Sequence, residues 1–170
     1  HTPSGGIAGT NEVNVTNERI TCTDKMAGKD VFALNQTTGL GEFIWVAPAT
    51  NNSIEEYHSG RSIRGKFLGD AYRNIFSGVP NIKNFEPNNI CTSNVTDFRT
   101  RSNYGLFESA TNFNHDMNRW DTSNVTMMTY LFSGAPFNKN ISSWCVSKIT
   151  SLPGSFGGAT GWNTSFKPKW

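Results

Sequence analysis

The sequence predicts an α/β fold, built as a short solenoid in which each unit of about 24 residues contributes a strand and a short helix. Two observations predict it. First, aromatic positions recur at a fixed interval: Phe137 follows Phe113 at the same distance along the chain at which Trp144 follows Trp120. We call this distance the repeat interval. Second, two copies of the motif end in Phe-x-Gly-Ala, and glycine is typical of the residue at which a helix ends.

The repeat is clearest in two segments, repeat 1 (residues 113–132) and repeat 2 (residues 137–156), which align without gaps. In each unit the stretch Trp-x-x-Ser-x-Val/Ile-Thr predicts a short strand, and the residues after it predict the helix. A looser leading copy precedes them, because Ser-Asn-Val-Thr occurs at 93–96 as well as at 123–126. Stacked units share one core, so the matched residues Phe107, Phe132 and Phe156 are expected to form a buried ladder.

The first half of the chain predicts a cover for the end of this stack, since terminal units of repeat proteins are usually atypical. Residues 31–34 and 43–46 are short apolar runs separated by a Thr/Gly-rich stretch, which predicts a β-hairpin. Residues 1–18 are rich in Gly, Asn and Thr, which predicts an extended arm. The chain is therefore divided into an arm (1–18), a β-rich N-terminal cap (19–74) and the repeats (75–170).

The arm has two interpretations, a mobile tail or a segment ordered by a neighbouring protein. In the second, its few apolar side chains would supply the contacts, and its backbone could pair with a neighbour's strand edge. Self-association or assembly through the arm is then expected, with contacts from Ile7, Val13 and Val15.

Charge and hydropathy argue against two classes of partner. The formal net charge is +2 and only 16% of residues are charged, whereas nucleic-acid binders usually carry a clustered basic surface. The most basic stretch is interrupted by Asp70 and is expected to be a solvated face, with Arg61, Arg64, Lys66 and Arg73. No apolar run approaches the ~18–20 residues of a transmembrane helix. We therefore expect neither a nucleic-acid partner nor a membrane span.

The sequence lacks the common catalytic and metal-binding patterns. It has no Gly-x-Ser-x-Gly, His-Glu-x-x-His, P-loop or dinucleotide fingerprint. The three cysteines, Cys22, Cys91 and Cys145, form no CxxC pair, and their odd number leaves at least one without a partner in the chain. Cys145 and His115 do not occupy matching repeat positions, which argues against a nucleophile pair. We expect no enzymatic activity, no metal and no cofactor.

The repeat string Phe-Asn-x-x-Ile/Met-x-x-Trp-Asp-Thr-Ser-Asn-Val-Thr-x-Met-x-x-Leu-Phe-x-Gly-Ala resembles the BspA-like leucine-rich repeats of surface proteins, the DUF285 type. Repeat 1 and the residues that follow it carry the whole string, from Phe113 to Ala135, whereas repeat 2 has Cys145 and Lys148 in place of Asp and Asn. The resemblance implies a leucine-rich-repeat-like solenoid and an extracellular, cell-surface or virion-surface location. It implies a protein-interaction surface and no catalytic residues.

Two functions follow as hypotheses. The first is a non-catalytic recognition or adhesion module on a virion or bacterial surface that binds a protein or surface-glycan receptor. The second is a structural subunit of a virion or fibre. For the first, candidate binding residues are the polar positions near the Trp-x-x-Ser stretch, which could instead serve turn hydrogen bonds: Arg119, Asp121, Ser123, Ser143, Cys145 and Ser147.

Overall fold

The computed structural model describes residues 12–49, 87–99, 105–110 and 113–170 of the chain. Within these ranges the strands are β1 (Val13–Val15), β2 (Ile20–Cys22), β3 (Asp30–Leu34), β4 (Gly41–Val46) and β5 (Ile90–Cys91). Short 3-10 turns cover Asp24–Met26, Pro87–Asn89 and Thr164–Phe166. The described structure is therefore mainly small β-sheets joined by turns.

The strands form two sheets. β1 pairs with β2, and β3, β4 and β5 form a three-stranded sheet in that order. The predicted hairpin is confirmed, because β3 and β4 pair antiparallel with Phe32 opposite Phe43. β4 also pairs in parallel with β5, so that Val46 lies opposite Cys91. This parallel pair joins the N-terminal region to the segment that leads into the repeats.

The predicted α/β solenoid of strand and helix units is wrong. The described residues contain no α-helix, and repeats 1 and 2 contain neither the predicted strand nor the predicted helix. After Val125 in repeat 1, the N–H groups of Leu131, Ser133 and Ala135 each donate to the carbonyl three residues earlier, which makes successive tight turns. Tyr130 has a φ of 59°, in the left-handed region that interrupts a right-handed helix.

The backbone bonds that a helix would use run between repeats instead. The N–H of Tyr130 donates to the carbonyl of Gly154 at 3.0 Å, and the N–H of Phe132 donates to the carbonyl of Phe156 at 2.8 Å. A backbone donor engaged with the next repeat is not free for an intrahelical bond. The predicted strand positions 120–126 and 144–150 carry no strand, and an isolated bridge such as that between Asp97 and Met127 falls just after them.

The apolar residues form two clusters of different chemistry. The cluster of the N-terminal sheets is mainly aliphatic: Val13, Val15, Ile20, Val31, Ala33, Ile44, Val46 and Cys91. The larger cluster runs through the repeats and contains most of the buried aromatic rings, among them Phe98, Phe107, Phe113, Trp120, Phe132, Phe137 and Trp144. The two clusters meet at β4 and β5, whose alternate residues point to different sides: Ile44, Val46 and Cys91 belong to the first cluster, and Trp45 and Ile90 belong to the second.

The aromatic ladder is present for part of its predicted length. Phe107 and Phe132 are buried and their rings stack at 5.9 Å and 6°. Trp120 and Trp144, separated by one repeat interval, stack at 6.0 Å and 2°. Phe156 is only half-buried and meets Phe132 edge-on at 85°. The ladder of Phe rings is therefore regular from Phe107 to Phe132, and its parallel stacking ends at Phe156 in repeat 2.

Candidate functional site

The β1–β2 hairpin lies along the repeats and contacts the residues that directly precede Trp120 and Trp144. The N–H of Ile20 donates to the carbonyl of Arg119 at 2.9 Å, and the Arg19 guanidinium reaches the carbonyl of Ser143 at 3.5 Å. A disulfide joins Cys22 to Cys91 and leaves Cys145 as the free thiol. The hairpin therefore covers part of the surface on which the candidate binding residues were placed.

Arg119 lies beneath this hairpin with only 7% of its surface exposed. Its Nη2 donates to Glu42 Oε1 at 2.9 Å and to Asn89 Oδ1 at 2.8 Å. Burial raises the pKa of Glu42, but hydrogen bonds from Arg119 and Asn35 outweigh it and leave the pKa below its ordinary value. Arg119 therefore joins repeat 1 to β4 rather than facing solvent.

Asp121 is also buried, at 8% exposure. Its Oδ2 accepts a hydrogen bond from the Ser93 hydroxyl at 2.7 Å, and its Oδ1 accepts from the backbone N–H and hydroxyl of Ser123. Burial raises the pKa of Asp121, but the bonds from Ser123 and Ser93 outweigh it and lower the pKa. Asp121 and Ser123 therefore complete a turn and tie repeat 1 to the leading copy.

The same turn recurs one repeat later with sulfur in place of the carboxylate. Cys145 stands one repeat interval after Asp121, and its Sγ lies 3.2 Å from the hydroxyl of Ser147. Hydrogen bonds from Ser147 lower the pKa of the Cys145 thiol. Ser143 and Ser147 are exposed and Cys145 is half-buried. Of the six candidate positions, Ser143 and Ser147 are therefore the exposed ones, since Ser123 is half-buried like Cys145.

The apolar residues assigned to an assembly arm are placed differently. Val13 and Val15 are 2% and 0% exposed and belong to the core of the N-terminal sheets. Their alternation with exposed Asn14 was a short strand signal within a polar segment. These two side chains therefore pack in the core of this chain and do not contact a neighbouring protein as the arm interpretation requires. Ile7 lies outside the described residues, as does the basic stretch 61–73.

A polar cleft of about 340 Å³ opens beside the hairpin. Its walls come from the hairpin tip and from both repeats: Asn17, Glu18, Asp116, Asn118, Asn140, Ser142 and Ser143. Repeat 1 and repeat 2 contribute matching positions, since Asn140 follows Asp116, and Ser142 follows Asn118, by one repeat interval. Only Ser143 was among the predicted binding residues. The four other repeat residues could have been found by asking which polar positions recur in both repeats, but Asn17 and Glu18 of the hairpin could not.

The cleft side chains are held by bonds along the repeat. The Asn88 amide donates to Asn118 Oδ1 at 2.9 Å, and the Ser143 hydroxyl donates to the carbonyl of Asn118 at 3.2 Å. The N–H and hydroxyl of Ser142 both donate to Asn140 Oδ1. These contacts fix the orientation of the repeat side chains that line the cleft. The cleft thereby offers amides, hydroxyls and the carboxylates of Glu18 and Asp116 to a ligand.

Two features of metal-binding and membrane proteins are absent from the described residues. No group of three or more His, Cys, Asp and Glu side chains there comes together as a metal site would require. Nor does any helix in those ranges have the length and apolar character to span a bilayer.

Comparison with known proteins identifies the family. Residues 70–170 match the family model described as "Mycoplasma protein of unknown function, DUF285". No curated protein and no solved structure matches the chain significantly. The matched residues make up more than half of the sequence and include both repeats, and the chain therefore belongs to the DUF285 family.

Proposed function

We propose that this chain is a non-catalytic recognition module that binds a protein or surface-glycan receptor at the polar cleft, on the surface of a cell or virion. The observation that carries the proposal is the construction of the cleft from matching positions of two repeats, Asp116 with Asn140 and Asn118 with Ser142. Such a construction places donors and acceptors at regular intervals, which suits a ligand that is itself polar and extended.

The chemistry of the walls favours hydrogen-bonded recognition. Amide and hydroxyl groups donate and accept, and the two carboxylates accept only, so together they complement sugar hydroxyls or a peptide backbone. Their support is a bond from the hairpin to repeat 1, since the N–H of Ile20 donates to the carbonyl of Arg119, and the buried Arg119 is itself tied to β4 by its ion pair with Glu42. A site whose walls are already ordered loses less conformational freedom on binding, which favours affinity.

Two further features support a location on a cell or virion surface and a relationship to the BspA-like repeats. The Cys22–Cys91 disulfide is of the kind that persists in oxidising surroundings such as the cell exterior. Within the DUF285 family, the Trp-Asp-Thr-Ser-Asn-Val-Thr string at 120–126 supports placing the repeat with the BspA-like repeats of surface proteins. That relationship concerns the sequence pattern, since the repeats here are built from turns.

A binding experiment on defined probes tests the proposal. The purified chain is applied to an array of defined glycans and to immobilised bacterial surface protein, beside Glu18→Lys and Asp116→Lys variants. We expect binding to at least one probe, recovery of that probe chemically unchanged, and a loss of about tenfold or more in each variant, because an unmatched charge in a polar site costs ~1.4 kcal/mol or more.

The control is Thr160→Lys, which introduces a lysine at an exposed residue that is not among the cleft-lining residues. It should bind as the wild-type chain does. Equal binding by all four proteins would remove the cleft from the proposal. Binding to none of the probes, or conversion of a probe into product, would contradict a recognition function.

A further inference from the structure

The asparagines of the polar cleft are oriented by bonds within the chain, which decide the atoms that each one offers to a ligand. In Asn140, Oδ1 accepts from the backbone N–H of Ser142 at 3.0 Å and from its hydroxyl at 2.7 Å. A backbone N–H can only donate, so the amide atom that faces it must be the oxygen. The amide nitrogen of Asn140 has no hydrogen-bond partner in the part of the chain that the structure describes. It is therefore available to donate to a ligand.

The orientation of Asn118 is fixed through one intermediate residue. Asn88 Oδ1 accepts from the backbone N–H of Arg119 at 3.0 Å, so Asn88 must turn its amide nitrogen toward Asn118. The Asn118 atom that receives this bond, at 2.9 Å, is then its oxygen. Among the described residues the amide nitrogen of Asn118 bonds to nothing, so it too is available as a donor.

Asn17, at the tip of the β1–β2 hairpin, is oriented in the same way by Asn35. The Oδ1 of Asn35 accepts from the backbone N–H of Thr37 at 2.8 Å, and its amide nitrogen donates to Asn17 Oδ1 at 2.9 Å. The Asn17 amide nitrogen is left without a partner within the described ranges. All three cleft asparagines therefore use their oxygen inside the protein and keep their N–H groups for a ligand.

The remaining groups of the cleft offer acceptors. The hydroxyls of Ser142 and Ser143 already donate within the chain, so only their oxygen lone pairs remain. The side chains of Glu18 and Asp116 are exposed, and neither carboxylate has a partner among the residues that the structure describes. None of the seven lining residues is basic. The cleft therefore combines amide donors with carboxylate and hydroxyl acceptors.

A hydroxyl group complements this combination, because it can accept from an amide N–H and donate to a carboxylate at the same time. An ammonium group only donates, so it would leave the amide N–H groups without acceptors. A ligand carboxylate or phosphate only accepts, and it would also meet the like charges of Glu18 and Asp116. An uncharged molecule with several hydroxyls satisfies both sets of groups.

The dimensions of the cleft favour a small polar ligand over a folded protein. Its volume of about 340 Å³ is at the lower end of the ~300–1,000 Å³ that is typical of small-molecule pockets. A stable protein interface usually involves roughly 20–30 residues a side and aromatic or Arg anchors, whereas the seven cleft residues include neither. The cleft therefore suits a short stretch of glycan.

We propose that the polar cleft binds an uncharged saccharide, whose hydroxyls accept from Asn17, Asn118 and Asn140 and donate to Glu18 and Asp116. This rests on the proposed recognition function and narrows its ligand from proteins and glycans in general to neutral sugars. Since the three amides come from the hairpin, repeat 1 and repeat 2, the site is complete only when all three segments are in place.

Asparagine-to-aspartate substitutions test the role of the amides, because they keep the oxygen that bonds within the chain and replace only the N–H₂ group. Titration calorimetry compares the wild type with Asn118→Asp and Asn140→Asp. The probes are neutral hexose oligosaccharides, glucosamine oligomers, sialylated oligosaccharides and the bacterial surface protein. We expect the wild type to bind a neutral oligosaccharide with little dependence on salt. Each variant should bind it at least about tenfold more weakly, because an acceptor replaces a donor.

Asn163→Asp is the matched control. Asn163 Oδ1 accepts from the backbone N–H and the hydroxyl of Ser165, as Asn140 Oδ1 does from Ser142. Asn163 is exposed and does not line the cleft. Its substitution adds the same charge in the same kind of turn and should leave sugar binding at the wild-type level. Circular dichroism checks that the three variants keep the wild-type fold.

Three outcomes overturn this inference. Preference for glucosamine oligomers, with tighter binding after Asn140→Asp, would identify a cationic ligand. Binding to sialylated oligosaccharides alone, or to the surface protein alone, would identify an acidic or a protein ligand. Neutral-sugar binding that is unchanged in both variants would show that the amides are not donors to the ligand. Each of these outcomes leaves the chain a recognition module, whereas binding to no probe contradicts the recognition function itself.

Discussion

The N-terminal region and the repeats are stabilised by different interactions of their backbones and cores. In residues 12–49, antiparallel strands satisfy one another's backbone groups and cover an aliphatic cluster. In residues 113–170, all of which are described, regular structure is limited to one 3-10 turn, and backbone groups bond within tight turns or to the adjacent repeat. There, stacked rings and side-chain hydrogen bonds hold successive repeats together. A single side chain therefore contributes more to stability in the repeats than in the N-terminal sheets.

Side chains also carry much of the bonding between successive repeats. The indole N–H of Trp144 donates to the carbonyl of Met117 at 2.8 Å, and that of Trp120 donates to the carbonyl of Pro87 at 2.7 Å. Each tryptophan thus fills the core and satisfies a buried carbonyl of the preceding copy. In a sheet the second task falls to the backbone, which is why strand sequences can vary more freely than these repeats.

Removal of a stacked ring should produce the largest effect. Phe132→Ala deletes a fully buried ring that stacks on Phe137 at 4.0 Å and on Phe107 at 5.9 Å. We expect the free energy of unfolding to fall by about 3–5 kcal/mol, measured by denaturant titration. Phe156→Ala, at the half-buried counterpart, should cost clearly less. Equal losses would mean that the ladder does not end at repeat 2.

The disulfide should matter next, and mostly on the N-terminal side of the comparison. Replacing Cys22 and Cys91 by serine removes a link that spans 69 residues. The expected loss in free energy of unfolding is about 2–4 kcal/mol. Hydrogen exchange should accelerate more for the β1–β2 amides than for the Phe132 amide, which bonds to repeat 2. Uniform acceleration over both regions would show that they unfold as one unit.

Close packing between repeats predicts a difference between two glycine positions, and this difference is smaller than the loss expected for the disulfide. Gly157 has a φ of 85°, and a Cβ there would lie 2.4 Å from the Phe132 backbone. Gly161 has a similar φ of 80° but no atom within 4 Å of such a Cβ. Gly161→Ala should therefore cost only the left-handed conformation, about 1–2 kcal/mol, and Gly157→Ala should exceed it by about 1–3 kcal/mol. Thermal melts of the pair give the difference directly.

Sequence reasoning located the repeat and its buried positions but not its backbone. The recurring Phe-x-x-Ala motif identified Phe107 and Phe132 as ladder positions, and the repeat interval identified Trp120 and Trp144, because a repeated contact requires a repeated residue type. The same residues can be presented by a helix or by consecutive turns, and only the inter-repeat bonds, such as that from Tyr130, distinguish them. The β3–β4 hairpin was predictable because its apolar runs and turn are local in sequence.

The candidate site was less predictable because its walls are distant in sequence. The hairpin tip at Asn17 and Glu18 meets residues about a hundred positions away, and nothing in a single sequence specifies that contact. Arg119 was predicted to be exposed as a polar residue near the Trp-x-x-Ser stretch, yet it is buried against Glu42, which lies 77 residues earlier. Polar residues at recurring positions were visible throughout. Which of them the hairpin covers depended on the fold.

The smallest expected effect concerns Cys145, which has a thiol where its counterpart in repeat 1, Asp121, has a carboxylate. In repeat 1 the Asp121 carboxylate accepts hydrogen bonds from Ser123, and in repeat 2 the Cys145 sulfur occupies that place beside Ser147. Hydrogen bonds from Ser147 favour the thiolate and lower the pKa of Cys145. The alkylation rate of the native protein should therefore rise with pH through a midpoint below that of an ordinary cysteine.

Ser147→Ala should shift this midpoint upward and slow alkylation at neutral pH, because the thiolate loses a donor while the backbone N–H remains. Cys145→Asp should preserve the turn and leave the free energy of unfolding within about 0.5 kcal/mol of wild type, as is usual for surface substitutions. A midpoint unchanged by Ser147→Ala would show that the hydroxyl does not hold the thiolate. In that case the Cys145 sulfur would occupy the place in repeat 2 that corresponds to Asp121, but it would not accept a hydrogen bond as the Asp121 carboxylate does.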